Sequence, residues 1–183
     1  MKLHTTALPA LLFLAACSSG KSEESAKGGA AAAATIDACD KDELCLPDVS
    51  YVDTTGRAYT KKDLAGKVVV INFWATWCKP CLKEIPDFSR AYERFKDKGV
   101  VVLGILASDN PDDDTLLNFA SDNDMTYPIV RANSDILVSY AYPDGLPTTF
   151  VFDRGGRQVY MHKGPLKESA LAEVLDPLVL QKM

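Results

Sequence analysis

Histidine is nearly missing from this chain, with 2 among 183 residues, His4 and His162. A zinc site needs ligands beyond one Cys-X-X-Cys pair. Neither His162 nor Cys39 and Cys45, which have five residues between them, supplies a matching spacing. A surplus of positive charge is missing too: 20 Lys and Arg against 25 Asp and Glu leave a net charge of −5, and with it no footprint for a nucleic-acid partner. There is also no membrane-crossing run at the N-terminus. The apolar stretch Ala7 to Ala16 has ten residues and contains Pro9, where a spanning helix takes about twenty. No segment of the sequence repeats.

What is present suits a globular domain. The chain is 47% apolar and 25% charged, with seven Tyr, seven Phe and two Trp, enough to bury a core and too apolar for wholesale disorder. Lys2, the run Ala7 to Ala16 and the small pair Ala15-Ala16 form the layout of an export signal. With Cys17 directly after them, Leu14-Ala15-Ala16-Cys17 resembles the bacterial lipoprotein signal, in which that cysteine is acylated and becomes the new N-terminus. An ordinary signal peptide with an incidental Cys17 is the blander alternative. Removal of residues 1–16 leaves 167 of the 183 residues, the size of one domain. Residues 17–38 are mostly Ser, Gly, Lys, Glu and Ala and read as a flexible tether. Residues 39–183 then form the folded domain.

Export implies an oxidising compartment, where cysteine pairs are expected as disulfides. The five cysteines divide into Cys17 as the lipid anchor and two pairs, Cys39 with Cys45 and Cys78 with Cys81. The first pair closes a short ring. It reads as a structural clip worth about 2 kcal/mol, with a second redox pair as the alternative.

Along the folded part, Asp48 to Tyr59 alternates around Asp53-Thr54-Thr55-Gly56, which predicts a hairpin. Val68 to Phe73 and Val100 to Leu106 read as strands buried on both faces. Between them, Leu82, Ile85, Phe88, Tyr92 and Phe95 recur at helical spacing across Cys78 to Lys98, with Pro86 as a kink. Short helices are expected over Thr115 to Asn123 and Ser134 to Tyr140, and a short strand over Tyr127 to Val130. Thr149 to Phe152 and Gln158 to Lys163 flank Asp153-Arg154-Gly155-Gly156 as a second hairpin, and Lys167 to Leu180 is a terminal helix perturbed at Pro177. This order predicts an α/β fold, a mixed sheet covered by helices.

The chemistry lies in Trp77-Cys78-Lys79-Pro80-Cys81 at the junction of strand and helix. The helix N-terminus and Lys79 both favour a thiolate at Cys78, making it the nucleophile. Cys81, one turn along, is positioned to resolve a mixed disulfide. Pro80 in the first turn loses no needed hydrogen bond and stiffens the ring. A zinc half-site and a permanent structural bridge are the competing readings.

Phe73-Trp74-Ala75-Thr76-Trp77-Cys78-Lys79-Pro80-Cys81, Glu84-Ile85-Pro86 and Gly145-Leu146-Pro147-Thr148-Thr149-Phe150 together resemble the thioredoxin superfamily. Within it, the chain is similar to the membrane-tethered TlpA/ResA-like thiol-disulfide oxidoreductases of bacteria. The resemblance runs from about Leu46 to the C-terminus. It implies a thioredoxin sheet with an added N-terminal hairpin and an insertion after the second strand. It makes Cys78 the nucleophile, Cys81 the resolving cysteine and Pro147 a cis-proline whose neighbour Leu146 offers its backbone to an extended substrate. Trp77, Lys79, Pro80 and Leu146 are the candidate substrate-binding residues. Thioredoxin itself carries a buried aspartate where this chain has Asn72, which cannot accept a proton. Glu84 matches the glutamate that the tethered subfamily uses instead, with a solvent-facing helix position as its bland alternative. Six aspartates and no Lys or Arg fill Asp109 to Asp124, which reads as a solvated surface or, less readily, as a docking patch for a basic partner.

The implied function is dithiol-disulfide exchange with cysteine pairs of exported proteins, in the cell envelope and tethered through lipid at Cys17. The resemblance favours the reducing direction, with a membrane thiol-electron transporter as donor and an apocytochrome c cysteine pair as a substrate. No cofactor is expected beyond the Cys78–Cys81 pair, and no metal. A disulfide-forming oxidant and a non-catalytic binding module on the same fold are the alternatives. Peroxide reduction fits poorly, since the context of a lone peroxidatic cysteine is missing.

Overall fold

The computed structural model describes Cys39 and residues 44–181. The expected signal, tether and Cys17 lie outside the described residues. A hairpin opens the fold, β1 (Tyr51–Val52) with β2 (Ala58–Tyr59), followed by α1 (Lys61–Leu64). Then come β3 (Val68–Trp74), α2 (Lys79–Phe95), a 3-10 turn (Lys96–Lys98) and β4 (Val100–Leu106). Next are α3 (Asp113–Asp122), β5 (Ile129–Arg131), α4 (Ser134–Ser139), β6 (Thr148–Phe152), β7 (Gln158–Lys163) and α5 (Glu168–Leu180).

Strands β3 to β7 make one sheet in the order β5-β4-β3-β6-β7. The pairs β3/β4 and β4/β5 are parallel, and β3/β6 and β6/β7 antiparallel. This is the mixed sheet with an N-terminal hairpin that the sequence predicts. β3 lies in the middle, so all seven of its residues are buried, which is why it reads as an unbroken β-branched run. Its period of two divides the core. Val69, Ile71 and Phe73 face one layer with Tyr51, Leu64, Ile136, Tyr140 and Phe150. Val68 and Val70 face the other, against Phe88, Ala91 and Phe95 of α2 and Leu171, Leu175 and Leu178 of α5. Asn72 and Trp74 share that second face by parity.

Helix α2 continues through Pro86 without interruption. The helix α1 is not among the predicted elements. Its signal was present as Thr60-Lys61-Lys62-Asp63, a capping box in which the Thr60 side chain accepts from the Asp63 N–H and the Asp63 carboxylate accepts from the Thr60 N–H at 3.0 Å. The helix α3 starts two residues before the predicted Thr115 because the Asp112 side chain caps it, accepting from the Thr115 N–H at 2.8 Å. β5 starts later than Tyr127, and Pro128 before it offers only its carbonyl, which accepts from the Gly104 N–H at 2.9 Å. Both sheet edges carry N-terminal segments. Thr54 N–H donates to Ile129 O at 2.9 Å, and Leu44 and Leu46 bond the chain around Gly156 and Gln158 at 2.7 and 2.8 Å.

Candidate active site

The strand β3 ends at Trp74, the chain turns through Ala75, Thr76 and Trp77, and Cys78 caps α2. Its sulfur accepts from the Cys81 N–H at 3.3 Å. Cys78 and Cys81 are bonded to each other, with Cα atoms 5.2 Å apart. Cys81 is fully buried and Cys78 is 3% exposed, so of the two residues only Cys78 reaches solvent. The first turn of α2 holds no acidic side chain. The positive end of the helix dipole is therefore left for Cys78, and a thiolate there is favoured. Pro80 sits in that first turn, where its missing N–H is not needed. Lys79 and Pro80 are exposed, and Trp77, directly before Cys78, is 61% exposed and offers a large apolar surface.

The start of the acidic stretch Asp109 to Asp124, expected as a solvated surface or a docking patch, holds this turn in place. Asp109 accepts from the Thr76 N–H at 3.0 Å and from the Thr76 hydroxyl. The carbonyl of Ser108 accepts from the Trp77 indole N–H at 3.2 Å. Ser108 itself has φ +58°, in the left-handed region that a side chain rarely adopts. No sequence signal separates Asp109 from the other five aspartates of its stretch.

On the other side, the Leu146–Pro147 peptide bond is cis. Leu146 packs against the cluster that contains Cys78 and Cys81. The loop is braced by the Thr148 hydroxyl, which donates to Gly145 O at 2.7 Å, and by Gly164 N–H, which donates to Pro147 O at 2.9 Å.

Two acids of α2 are buried, Glu84 and Asp87. Glu84, one turn along α2 from Cys81, is 1% exposed, so it is no solvent-facing position. Its Oε1 accepts from Asn72 Nδ2 at 2.8 Å and its Oε2 from the Leu166 N–H at 2.9 Å. Burial pushes its pKa up to about 7; the Leu166 and Asn72 donors pull it down, and the nearby charge of Asp87 pushes it further up. A carboxyl poised near neutrality can both take and return a proton. The Leu166 donor comes from the loop between β7 and α5, a contact 82 positions distant that no local pattern announces.

The other predicted pair is elsewhere. Cys39 and Cys45 are bonded, with Cα atoms 5.9 Å apart, and Cys45 bridges to Arg157, the residue before β7. That end of the sheet is the Val69 end of β3, through the Val69–Phe152 register, whereas Cys78 follows the Trp74 end. The structure does not bring the two disulfides together. Among the described residues, no group of three or more His, Cys, Asp and Glu side chains is placed to hold a metal.

Comparison with known proteins bears on this geometry. Residues 43–161 match the AhpC/TSA family. A thiol-disulfide oxidoreductase named ResA from Bacillus thuringiensis subsp. konkukian is 34% identical over 130 residues, 70% of this chain and 73% of its own length. The ResA of Bacillus subtilis is 33% identical over 131 residues, 71% of this chain and 72% of its own. Among solved structures, a thiol:disulfide interchange protein of the thioredoxin family from Chlorobium tepidum superposes with a TM-score of 0.65 at 26% identity, over 77% of this chain and 99% of that one. A secreted thiol-disulfide isomerase from Corynebacterium glutamicum gives 0.66 at 26% identity, over 74% and 86%.

Proposed function

Since this chain belongs to the AhpC/TSA family and, within it, to the thiol-disulfide oxidoreductases of ResA type, we propose that it works as a lipid-tethered reductant of disulfides in exported proteins. The observation that carries the reading is the Cys78–Cys81 pair at the N-terminus of α2, with the buried Glu84 one turn below. In the reduced enzyme, the Cys78 thiolate attacks one sulfur of a substrate disulfide, and the other leaves as a thiolate and takes a proton. Glu84 accepts the proton of Cys81. The Cys81 thiolate then attacks Cys78 in the mixed disulfide, the second substrate sulfur leaves, and Cys78–Cys81 closes. Two electrons pass to the substrate.

The substrate strand lies along Leu146 beside Pro147, with Trp77, Lys79 and Pro80 as the exposed surface it meets. The tether is the lipid on Cys17, which places the domain outside the cytoplasmic membrane. Among the described residues no helix is long and apolar enough to cross a membrane. Because the compartment is oxidising, a membrane thiol-electron transporter resupplies the dithiol. An apocytochrome c, whose haem-binding cysteines must be reduced, is the substrate that the TlpA/ResA-like resemblance implies.

The reduction potential of the Cys78–Cys81 pair tests the direction. A reductant lies toward the thioredoxin end of the range of about −270 to −120 mV, and a value toward the upper end would make the protein an oxidant. Intact-mass measurement of membrane-extracted protein tests the tether: a lipidated chain beginning at Cys17 supports it, and a soluble chain cleaved elsewhere ends it.

A further inference from the structure

Strand β3 reads Val68-Val69-Val70-Ile71-Asn72-Phe73-Trp74, and in this central, fully buried run Asn72 is the one polar residue. A buried amide costs stability unless each of its hydrogen-bonding groups is used. An apolar β-branched residue would serve the sheet equally well, so the amide must be explained by what it touches. Its parity on β3 turns it toward α2, and its register partner on β6 is Thr149. Both N–H groups of Nδ2 are engaged: one donates to Glu84 Oε1 at 2.8 Å and the other to Thr149 Oγ1 at 3.1 Å. All three side chains are buried, at 1%, 1% and 0% exposure for Asn72, Glu84 and Thr149. Flipping the amide would set its oxygen against an oxygen of the ionised carboxylate, so it is the donor end that suits ionised Glu84.

We propose that Asn72 is a positioning residue of disulfide exchange: its amide, held in one orientation by Thr149, presents a fixed N–H to the Glu84 carboxylate and so sets how readily that carboxylate takes the proton of Cys81. The inference rests on Glu84 being the proton acceptor proposed above. A donor-only partner stabilises the ionised carboxylate, and the Leu166 N–H does the same for the other oxygen. Burial works against them, as does Asp87 on the same helix, whose own charge is shared with Arg90 and with Lys167 at 2.6 and 3.6 Å. The buried hydroxyl of Tyr127 also interacts electrostatically with Glu84, and Cys81 lies one turn before it on α2. Asn72 thus keeps a buried acid ionisable where thioredoxin-type sites have an acid in the strand itself: here the strand carries the donor and the helix carries the acid.

The test is the pH dependence of the resolving step, followed with a small Cys-X-X-Cys peptide disulfide as substrate, in the full-length protein. Wild type is compared with Asn72→Leu, Thr149→Val, Glu84→Gln and the Asn72→Leu/Glu84→Gln double variant. Loss of the donor should raise the midpoint of the Asn72→Leu profile by about one pH unit. Thr149→Val, which frees the amide without removing it, should shift it in the same direction by less. In the Glu84→Gln background, Asn72→Leu should change nothing further. A folded Asn72→Leu protein with the wild-type midpoint, or one whose loss is the same with and without Glu84, would overturn the proposal. Should Asn72→Leu fail to fold, an unshifted Thr149→Val profile overturns it equally. If Glu84→Gln alone keeps the wild-type profile, the reading of Glu84 fails first, and the two failures are told apart.

Discussion

The two cysteines are chemically distinct because of where they sit on one turn of helix. Cys78 receives the helix N-terminus and borders solvent, while Cys81 is fully enclosed. Cys81→Ser should therefore leave an enzyme that attacks and is not released, and substrates should accumulate as mixed disulfides on Cys78 in non-reducing gels. Trapping by Cys78→Ser alone would reverse the two roles. Glu84 carries a second consequence. Its folded pKa of about 7 lies above the ordinary glutamate value of 4.5, so between these values the folded chain holds a proton that the unfolded chain has released. The stability it contributes is full below about pH 4.5 and is lost as pH rises to about 7, up to about 3 kcal/mol. Denaturation midpoints measured from pH 4.5 to 8 should fall less steeply in Glu84→Gln than in wild type.

Among the elements, the loops carry the precision. The two hairpin turns are built alike: Asp53 accepts from the Thr55 and Arg57 N–H groups at 2.8 and 3.0 Å, and Asp153 from those of Gly155 and Arg157 at 2.9 Å each. Each turn closes with a glycine at positive φ, Gly56 at +86° and Gly156 at +80°, a conformation glycine adopts without strain. Burial raises the pKa of Asp53, but the bonds from Thr55, Arg57 and Tyr59 outweigh it and hold the carboxyl below the usual range. Its stabilisation is thus present at neutral pH and lost as pH falls through that lowered value. Asp53→Asn should cost about 1–3 kcal/mol at pH 7 and flatten the acid limb of a stability curve. In the loop after β4, Asp109→Ala releases Thr76 and with it the Trp77 shelf. Turnover of protein disulfides should fall several-fold while the melting temperature moves little, and an unchanged KM and kcat would make Asp109 a surface residue.

Across the whole molecule, the hairpin and the Leu44–Leu46 segment tie the N-terminal part to opposite edges of one sheet, and the Cys39–Cys45 bond lies at the edge away from Cys78. Replacing both Cys39 and Cys45 with Ser should lower stability by about 2 kcal/mol and leave exchange at Cys78 nearly intact. A folded double variant without turnover would instead make the pair a second redox relay.

Much of this was legible in one dimension because its causes are local. A buried central strand must be an apolar run, a helix start needs a cap, and a turn with positive φ needs glycine, so β3, β4, the two hairpins and the Cys78–Cys81 helix start were all readable. The cysteine pair and the Leu146-Pro147 motif were readable for the same reason: each lies within a few consecutive residues. Glu84 was visible as a residue, but its burial was not, since that is conferred by α5 and the β7–α5 loop closing over α2. Asn72 looked like the loss of an acid, and only the sheet register with Thr149 and the packing of α2 made it the donor to one. Asp109 was hidden among its neighbours until the β4–α3 loop folded back onto Thr76. Hydrogen bonds between residues 12, 33, 77 and 82 positions apart build the site, and contacts at such separations leave no period, cap or turn signal along the chain.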